Sequence, residues 1–127
     1  MESERRTVAV VGASNDRNKY GNRAVRAYRA EGWTVIPVHP TATLIEGLRA
    51  YPSVEAIPGR VDRVTIYLHP ETTLQVLEGI ARHGVGELYL NPGAEDAAVM
   101  ARAAALGLDP IQACSILEIG RNPSSPD

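Results

Sequence analysis

Three times along this chain a helix-like stretch ends at a glycine, and an apolar residue then leads into a short aliphatic run. The three are Glu31-Gly32-Trp33 before Val35-Ile36, His83-Gly84-Val85 before Leu88-Tyr89-Leu90, and Leu106-Gly107-Leu108 before Ile111. Glycine just past a helix end adopts the left-handed conformation without Cβ strain, so each reads as a helix C-cap. Helices that alternate with strands in this rhythm form right-handed βαβ units. The sequence therefore predicts an α/β domain, a mostly parallel five-stranded sheet doubly wound with helices on both faces.

The strands are expected at about Thr7–Val11, Thr34–Val38, Arg63–Leu68, Glu87–Leu90 and Asp109–Gln112. The middle ones are near-continuous apolar runs, as strands covered on both faces require. Pro110 fits only a strand start or an edge. Thr73, Val76, Leu77 and Ile80 follow i, i+3, i+4, i+7 and predict a helix from about Glu71 to His83. Ala98, Val99, Ala103 and Leu106 give a weaker signal of the same kind. The segment from Thr41 to Asp62 breaks the rhythm and holds only a short helical turn over Ser53–Ile57, stopped by Pro58.

At 127 residues the chain fits one domain, with a composition, 44% hydrophobic and 22% charged, ordinary for a soluble protein. A net charge of −2 gives no reason to expect nucleic acid or a membrane surface as partner. A single cysteine, Cys114, forms no disulfide framework and suits a reducing compartment. No signal peptide or membrane span is legible, so a cytoplasmic protein is expected. Residues 1–6 read as an N-terminal extension, 7–120 as the domain, and the Ser/Pro-rich residues 121–127 as a flexible tail. No interface for a protein partner is legible.

Val8-Ala9-Val10-Val11-Gly12-Ala13-Ser14 is a strand running into a small-residue turn, and Tyr20-Gly21-Asn22-Arg23 opens a helix. Strand, glycine turn and helix N-terminus together make a phosphate cradle, because backbone N–H groups and the helix dipole both favour an anion. In an open parallel sheet, ligands bind beyond the carboxyl ends of the strands. Those ends are Gly12-Ala13-Ser14, His39-Pro40, Leu68-His69-Pro70, Asn91-Pro92-Gly93 and Cys114-Ser115. Three X-Pro exits make a rigid rim suited to an extended ligand. Arg17, Lys19 and Arg23 lie within reach of phosphates, and equally suit a solvated basic loop. Arg5, Arg6, Arg82 and His83 fall at the opposite edge. His39 and His69 lack a third ligand for a metal. Cys114 has no sequence-local base, and Glu118, the one acid near the fifth exit, has no partner for acid–base work.

A dinucleotide fold requires G-x-G-x-x-G in the first turn and an acid ending strand two. Gly12 has no second glycine two positions on, and strand two ends at His39-Pro40. Walker A is absent, since Lys19 precedes Tyr20 rather than Ser or Thr. A nicotinamide-dinucleotide oxidoreductase or redox sensor, binding NAD(P), is the weaker alternative.

Val10-Val11-Gly12-Ala13-Ser14, Lys19-Tyr20-Gly21-Asn22 and Gly32-Trp33-Thr34-Val35-Ile36-Pro37-Val38-His39-Pro40 resemble the CoA-binding domain proteins. These are stand-alone relatives of the CoA-binding domain in the α subunit of succinyl-CoA synthetase. Glu46-Gly47, Tyr51-Pro52-Ser53, Asp62, Asn91-Pro92-Gly93 and Gly107-Leu108 follow the same order, so the resemblance spans about Thr7 to Gly120. It implies a Rossmann-like domain that binds coenzyme A or an acyl-CoA. It also implies that Gly12, Ala13 and Ser14, with Lys19, Tyr20, Gly21, Asn22 and Arg23, hold the phosphates. His39, Pro40, Leu68, His69 and Pro70 would flank the adenosine, with Asn91, Pro92 and Gly93 toward the diphosphate and pantetheine. His39 stands where the family commonly has Asn, and Cys114-Ser115-Ile116 replaces a commoner Cys-Pro segment. The chain carries neither the phospho-His domain nor the ATP-grasp partner of the synthetases, so binding without catalysis is expected.

Overall fold

A computed structural model describes residues 5–127, so Met1–Glu4 of the expected N-terminal extension lie outside the described residues. Five strands form one sheet: β1 (Thr7–Val11), β2 (Thr34–Val38), β5 (Arg63–Ile66), β6 (Glu87–Leu90) and β7 (Ile111–Gln112). All neighbours are parallel, in the order β2-β1-β5-β6-β7. Helices α1 (Tyr20–Ala30), α2 (Pro70–His83), α3 (Ala97–Ala105) and α4 (Ser115–Glu118) follow β1, β5, β6 and β7. The fold is the expected α/β, Rossmann-like one.

Two cores hold the layers together. On one face Val8, Val10 and Val35 pack against Ala24, Val25, Ala27 and Tyr28 of α1 and Ile116 of α4. On the other, Ala9, Val11, Val64, Ile66, Leu88 and Leu90 meet Leu77 and Ile80 of α2 and Val99 and Ala103 of α3. Val8 to Val11 are therefore all buried, which is why β1 shows no polar alternation.

β5 departs from an apolar run in one respect. Arg63, Thr65 and Tyr67 alternate onto the face covered by α4. Arg63, only 2% exposed, donates to Glu118 at 2.7 Å and to Glu87 at 3.0 Å. Its guanidinium also lies 4.4 Å from the Tyr89 ring centre and 4.9 Å from that of Trp33. Burial opposes its charge, but hydrogen bonds to Glu118, Tyr28 and Glu87 outweigh that and raise its pKa. Glu118 is thus a structural counter-ion. Arg6 pairs with Glu87 and stacks on Trp33, at the sheet edge remote from the strand exits.

The structure corrects three local expectations. β5 ends at Ile66 rather than Leu68, and β7 starts at Ile111, after Pro110, which has no N–H for the ladder. The segment after β2 holds a small hairpin, β3 (Leu44–Ile45) and β4 (Leu48–Arg49), turned by Glu46 at φ 50° and Gly47 at φ 76°. Two positive-φ residues define a type I′ turn, usually signalled by Asn-Gly. The expected helical turn is a 3₁₀ turn, Val54–Ala56, whose Ala56 N–H donates to Ser53 Oγ at 3.3 Å.

Residues 121–127, expected as a flexible tail, make contacts with the domain. Arg121 binds Glu31 at 2.6 Å, Pro126 is buried, and Asp127 accepts from Arg26 at 3.0 Å. Arg26 faces inward from α1 and needs a counter-ion there, a requirement that a Ser/Pro-rich composition does not reveal.

Candidate functional site

The strand order reverses between β1 and β5, so α1 leaves toward one side and α2 toward the other. A crevice opens where they part. Its floor is fitted by two glycines. A Cβ on Gly12, at φ 93°, would lie 2.9 Å from the Tyr67 carbonyl carbon and nearer still to its oxygen. A Cβ on Gly21 would lie 2.8 Å from the Gly12 carbonyl carbon and again nearer its oxygen. Only hydrogen at both positions lets the first turn of α1 nest on the β1 exit.

That nesting leaves donors free. Among the described residues, the N–H groups of Ala13, Ser14, Tyr20 and Gly21 have no protein acceptor. Lys19 and His69 are the N-cap residues of α1 and α2, and neither gives a side-chain cap. Helix α3, by contrast, is closed by its own Asp96, which accepts from Val99 N–H at 2.9 Å. The short α4 is also uncapped at Cys114, so all three uncapped starts border the crevice, where unpaired N–H groups and the positive helix ends favour an anion.

The crevice is a cavity of about 950 Å³. Of the residues expected from the sequence, Gly12, Ala13, Ser14, Lys19, Tyr20, Gly21, His39, Pro40, Leu68, His69, Asn91, Pro92 and Gly93 line it. Sequence reading did not place Tyr67, Thr72, Val76, Leu117, Pro52 or Pro123 in the site, and it left the role of Cys114 open, though all of these line it too. Among the described residues the lining holds one lysine, two histidines and no carboxylate.

Four expected residues stand elsewhere. Arg17 pairs with Glu46 at 3.2 Å and Asp127 at 3.7 Å, away from the cavity wall. Asn22 is buried. It donates to the Ser14 carbonyl at 2.8 Å and Glu46 at 3.0 Å, and accepts from Arg26 at 2.8 Å. It shapes the cradle from behind. Arg23 lies over the Tyr20 ring, 5.1 Å from its centre, and Pro70 is spent as the first residue of α2. The hidden organiser is Glu46, whose carboxylate gathers Arg17, Arg29 and Asn22.

The far wall is braced by a buried polar network. Asn91 donates to Thr65 Oγ1 at 2.6 Å and the Ile66 carbonyl at 3.0 Å, and accepts from Ser115 N–H at 2.9 Å. Ser115 Oγ lies 2.7 Å from Thr65 Oγ1 and 3.2 Å from the Tyr67 hydroxyl. Burial raises the Tyr67 pKa, and its bond to Ser115 only partly offsets this, so the phenol stays protonated at neutral pH. Cys114 is half-buried in the wall just before α4. Among the described residues no group of three or more His, Cys, Asp or Glu is placed to hold a metal. No helix there is long and apolar enough to cross a membrane.

A parallel doubly wound domain with a crevice at its switch point is an architecture in which nucleotides commonly bind. More narrowly, residues 6–120 match the CoA binding domain model, and the chain belongs to that family. It is 36% identical over 81 residues to the alpha subunit of acetate–CoA ligase (ADP-forming) II of Pyrococcus furiosus, covering 63% of this chain. Against acetate–CoA ligase (ADP-forming) I of Archaeoglobus fulgidus the identity is 33% over 95 residues, 74% of this chain. The chain spans only 18% and 14% of the lengths of these two relatives. Among solved structures, a conserved hypothetical protein of Pyrococcus furiosus aligns with TM-score 0.83 and 33% identity, over 89% of this chain and 98% of that one. A dinucleotide-forming acetyl-coenzyme A synthetase 1 of Ca. Korarchaeum cryptofilum aligns with TM-score 0.70 and 29% identity, over 83% of this chain and 25% of that one.

Proposed function

We propose that the chain binds coenzyme A or an acyl-CoA in the switch-point cavity and holds it without catalysis, as a carrier or regulatory module. One observation carries the reading. The cavity combines unpaired backbone N–H groups, the uncapped starts of α1 and α2, Lys19, His39 and His69 with no carboxylate among the described residues of its lining. Such a lining suits a polyanion and gives a free ribose diol no acid to bind, which favours coenzyme A over a nicotinamide dinucleotide. Its volume lies at the upper end for small-molecule sites, as a long ligand needs.

In this reading the diphosphate lies on Gly12–Ser14 and the start of α1, beside Lys19. The adenosine lies by His39-Pro40 and Leu68-His69, and the pantetheine arm runs toward Asn91-Pro92-Gly93. The absence of catalysis rests on the wall chemistry. Cys114 has no hydrogen bond to a basic side chain among the described residues, and the phenol of Tyr67, its pKa raised by burial, stays protonated and is no base. Thermal unfolding with added ligand tests the binding. Ligand at one hundred times its dissociation constant adds about 2.7 kcal/mol, several degrees in melting temperature. A shift with coenzyme A or acetyl-CoA and none with NAD is expected; no shift with either coenzyme A or acetyl-CoA defeats the proposal.

A further inference from the structure

We infer that His39 is a specificity-determining residue that selects a ribose bearing a phosphate over one with free hydroxyls. The inference rests on the coenzyme A reading and narrows it. Val38 pairs with Val11 in register, so His39 stands beside Gly12 at the adjoining exit, and Gly12 N–H reaches back to the Val38 carbonyl at 3.4 Å. Neighbouring strands lie about 4.8 Å apart. A diphosphate on the Gly12 turn therefore brings its attached ribose to the end of β2, the position that reads the ribose in doubly wound folds.

The His39 ring is held by two backbone N–H groups on one nitrogen. Its Nδ1 accepts from Thr41 N–H at 3.1 Å and from Ala42 N–H at 2.9 Å. An atom that accepts two N–H bonds carries no proton, so the neutral ring bears its proton on Nε2. The backbone is fixed as well, since His39 N–H donates to the Tyr51 carbonyl at 2.9 Å. Among the described residues Nε2 has no protein partner, and the ring lines the cavity. The side chain at the end of β2 thus offers the ligand a donor, and no carboxylate of the lining stands there to accept. Dinucleotide folds do the reverse, placing there an acid that accepts from both ribose hydroxyls. A phosphate offers only acceptors, and a donor gains roughly twice as much from a charged acceptor as from a neutral hydroxyl. Among the described residues no carboxylate in the lining opposes the phosphate charge.

Isothermal titration of coenzyme A and dephospho-CoA, which lacks only the ribose phosphate, into the native chain and into His39→Asn tests this. Asn in place of His39 retains a side-chain oxygen to accept from Thr41 and Ala42, as in an Asx turn, but loses the Nε2 donor. The native chain is expected to prefer coenzyme A by about tenfold or more, and H39N to lose most of that preference. Nitrogen-15 spectra of the native protein are expected to show Nδ1 unprotonated, Nε2 protonated, and the Nε2 signal moving with coenzyme A but far less with dephospho-CoA. Equal affinity of the native chain for the two ligands leaves coenzyme A binding intact and overturns this inference. A preference undiminished in H39N, or a proton on Nδ1, also overturns it. Binding of neither ligand overturns both readings. The spectra need no variant, so they decide the matter even if H39N fails to fold.

Discussion

Replacing Gly21 by alanine separates the local chemistry of a helix from the packing of this site. Gly21 is the second residue of α1, where sequence propensity alone favours alanine by about 0.5–1 kcal/mol. The structure reverses the sign. The new Cβ would lie 2.8 Å from the carbonyl carbon of Gly12 and closer to its oxygen, and both are backbone atoms of a turn packed against Tyr67. Carbon–carbon contacts are comfortable at about 3.5–4.0 Å, so the start of α1 must back away from the β1 exit. Overpacking of this kind costs about 1–3 kcal/mol, a fall in melting temperature of roughly 4 °C per kcal/mol. Gly32 is the matched control: its φ is 87° but nothing lies within 4 Å of a Cβ there. G32A therefore carries only the left-handed backbone penalty of about 1–2 kcal/mol and leaves the cradle unmoved. Calorimetric melting with and without coenzyme A distinguishes the two variants. G21A is expected to lose stability and also to weaken ligand binding, while G32A loses stability alone. A G21A protein that melts above the native chain, or binds coenzyme A equally well, refutes the nested-turn account.

Other consequences follow from the same geometry. Hydrogen bonds from Arg6 and Arg63 overcome burial and hold the Glu87 carboxyl below its ordinary value of about 4.5. A carboxyl depressed in the folded state adds stability above its unfolded pKa and loses it as pH falls through the folded one. Glu87→Gln should therefore lower stability at pH 7 and flatten the acid limb of a urea-midpoint series; a parallel acid limb speaks against the pairing. Asn91→Ala strips three hydrogen bonds from the buried network and leaves Ser115 N–H without an acceptor, while Thr65 keeps only its bond to Ser115 Oγ. About 2–4 kcal/mol should be lost in urea unfolding, and a loss within error of zero would contradict the bracing role. Acetyl-CoA incubated with the protein should release free thiol no faster than in buffer. Release that is faster, and that disappears in Cys114→Ser, makes Cys114 a nucleophile and ends the non-catalytic reading.

The larger elements were legible because burial on both faces leaves a sequence trace. β1, β2 and β6 run within the limits expected from their apolar stretches, and the glycines at 32, 84 and 107 all have positive φ where helices end. The cradle was legible for a similar reason, since strand, glycine and helix start are contiguous in sequence. Other features rest on contacts between distant residues. The carboxylate that takes Arg17 lies 29 residues away in the chain, so a loop arginine within reach of phosphate is in fact paired with Glu46. The β3–β4 hairpin has two-residue strands, too short to show alternation, and its turn uses Glu46 where Asn is the usual signal. Pro123 joins the cavity wall only because Arg26 and Glu31 hold the segment after Gly120 in place. His39 was legible as a rim residue, but its donor role depends on where the N–H groups of Thr41 and Ala42 point.

The central claim is that the crevice between β1 and β5 is a coenzyme A site. Isothermal titration of coenzyme A into the purified chain addresses it directly. The account predicts saturable binding at one site per chain, weakened by G21A and by raised salt. Absence of saturable binding by coenzyme A and acetyl-CoA alike, with the protein folded by calorimetry, contradicts it.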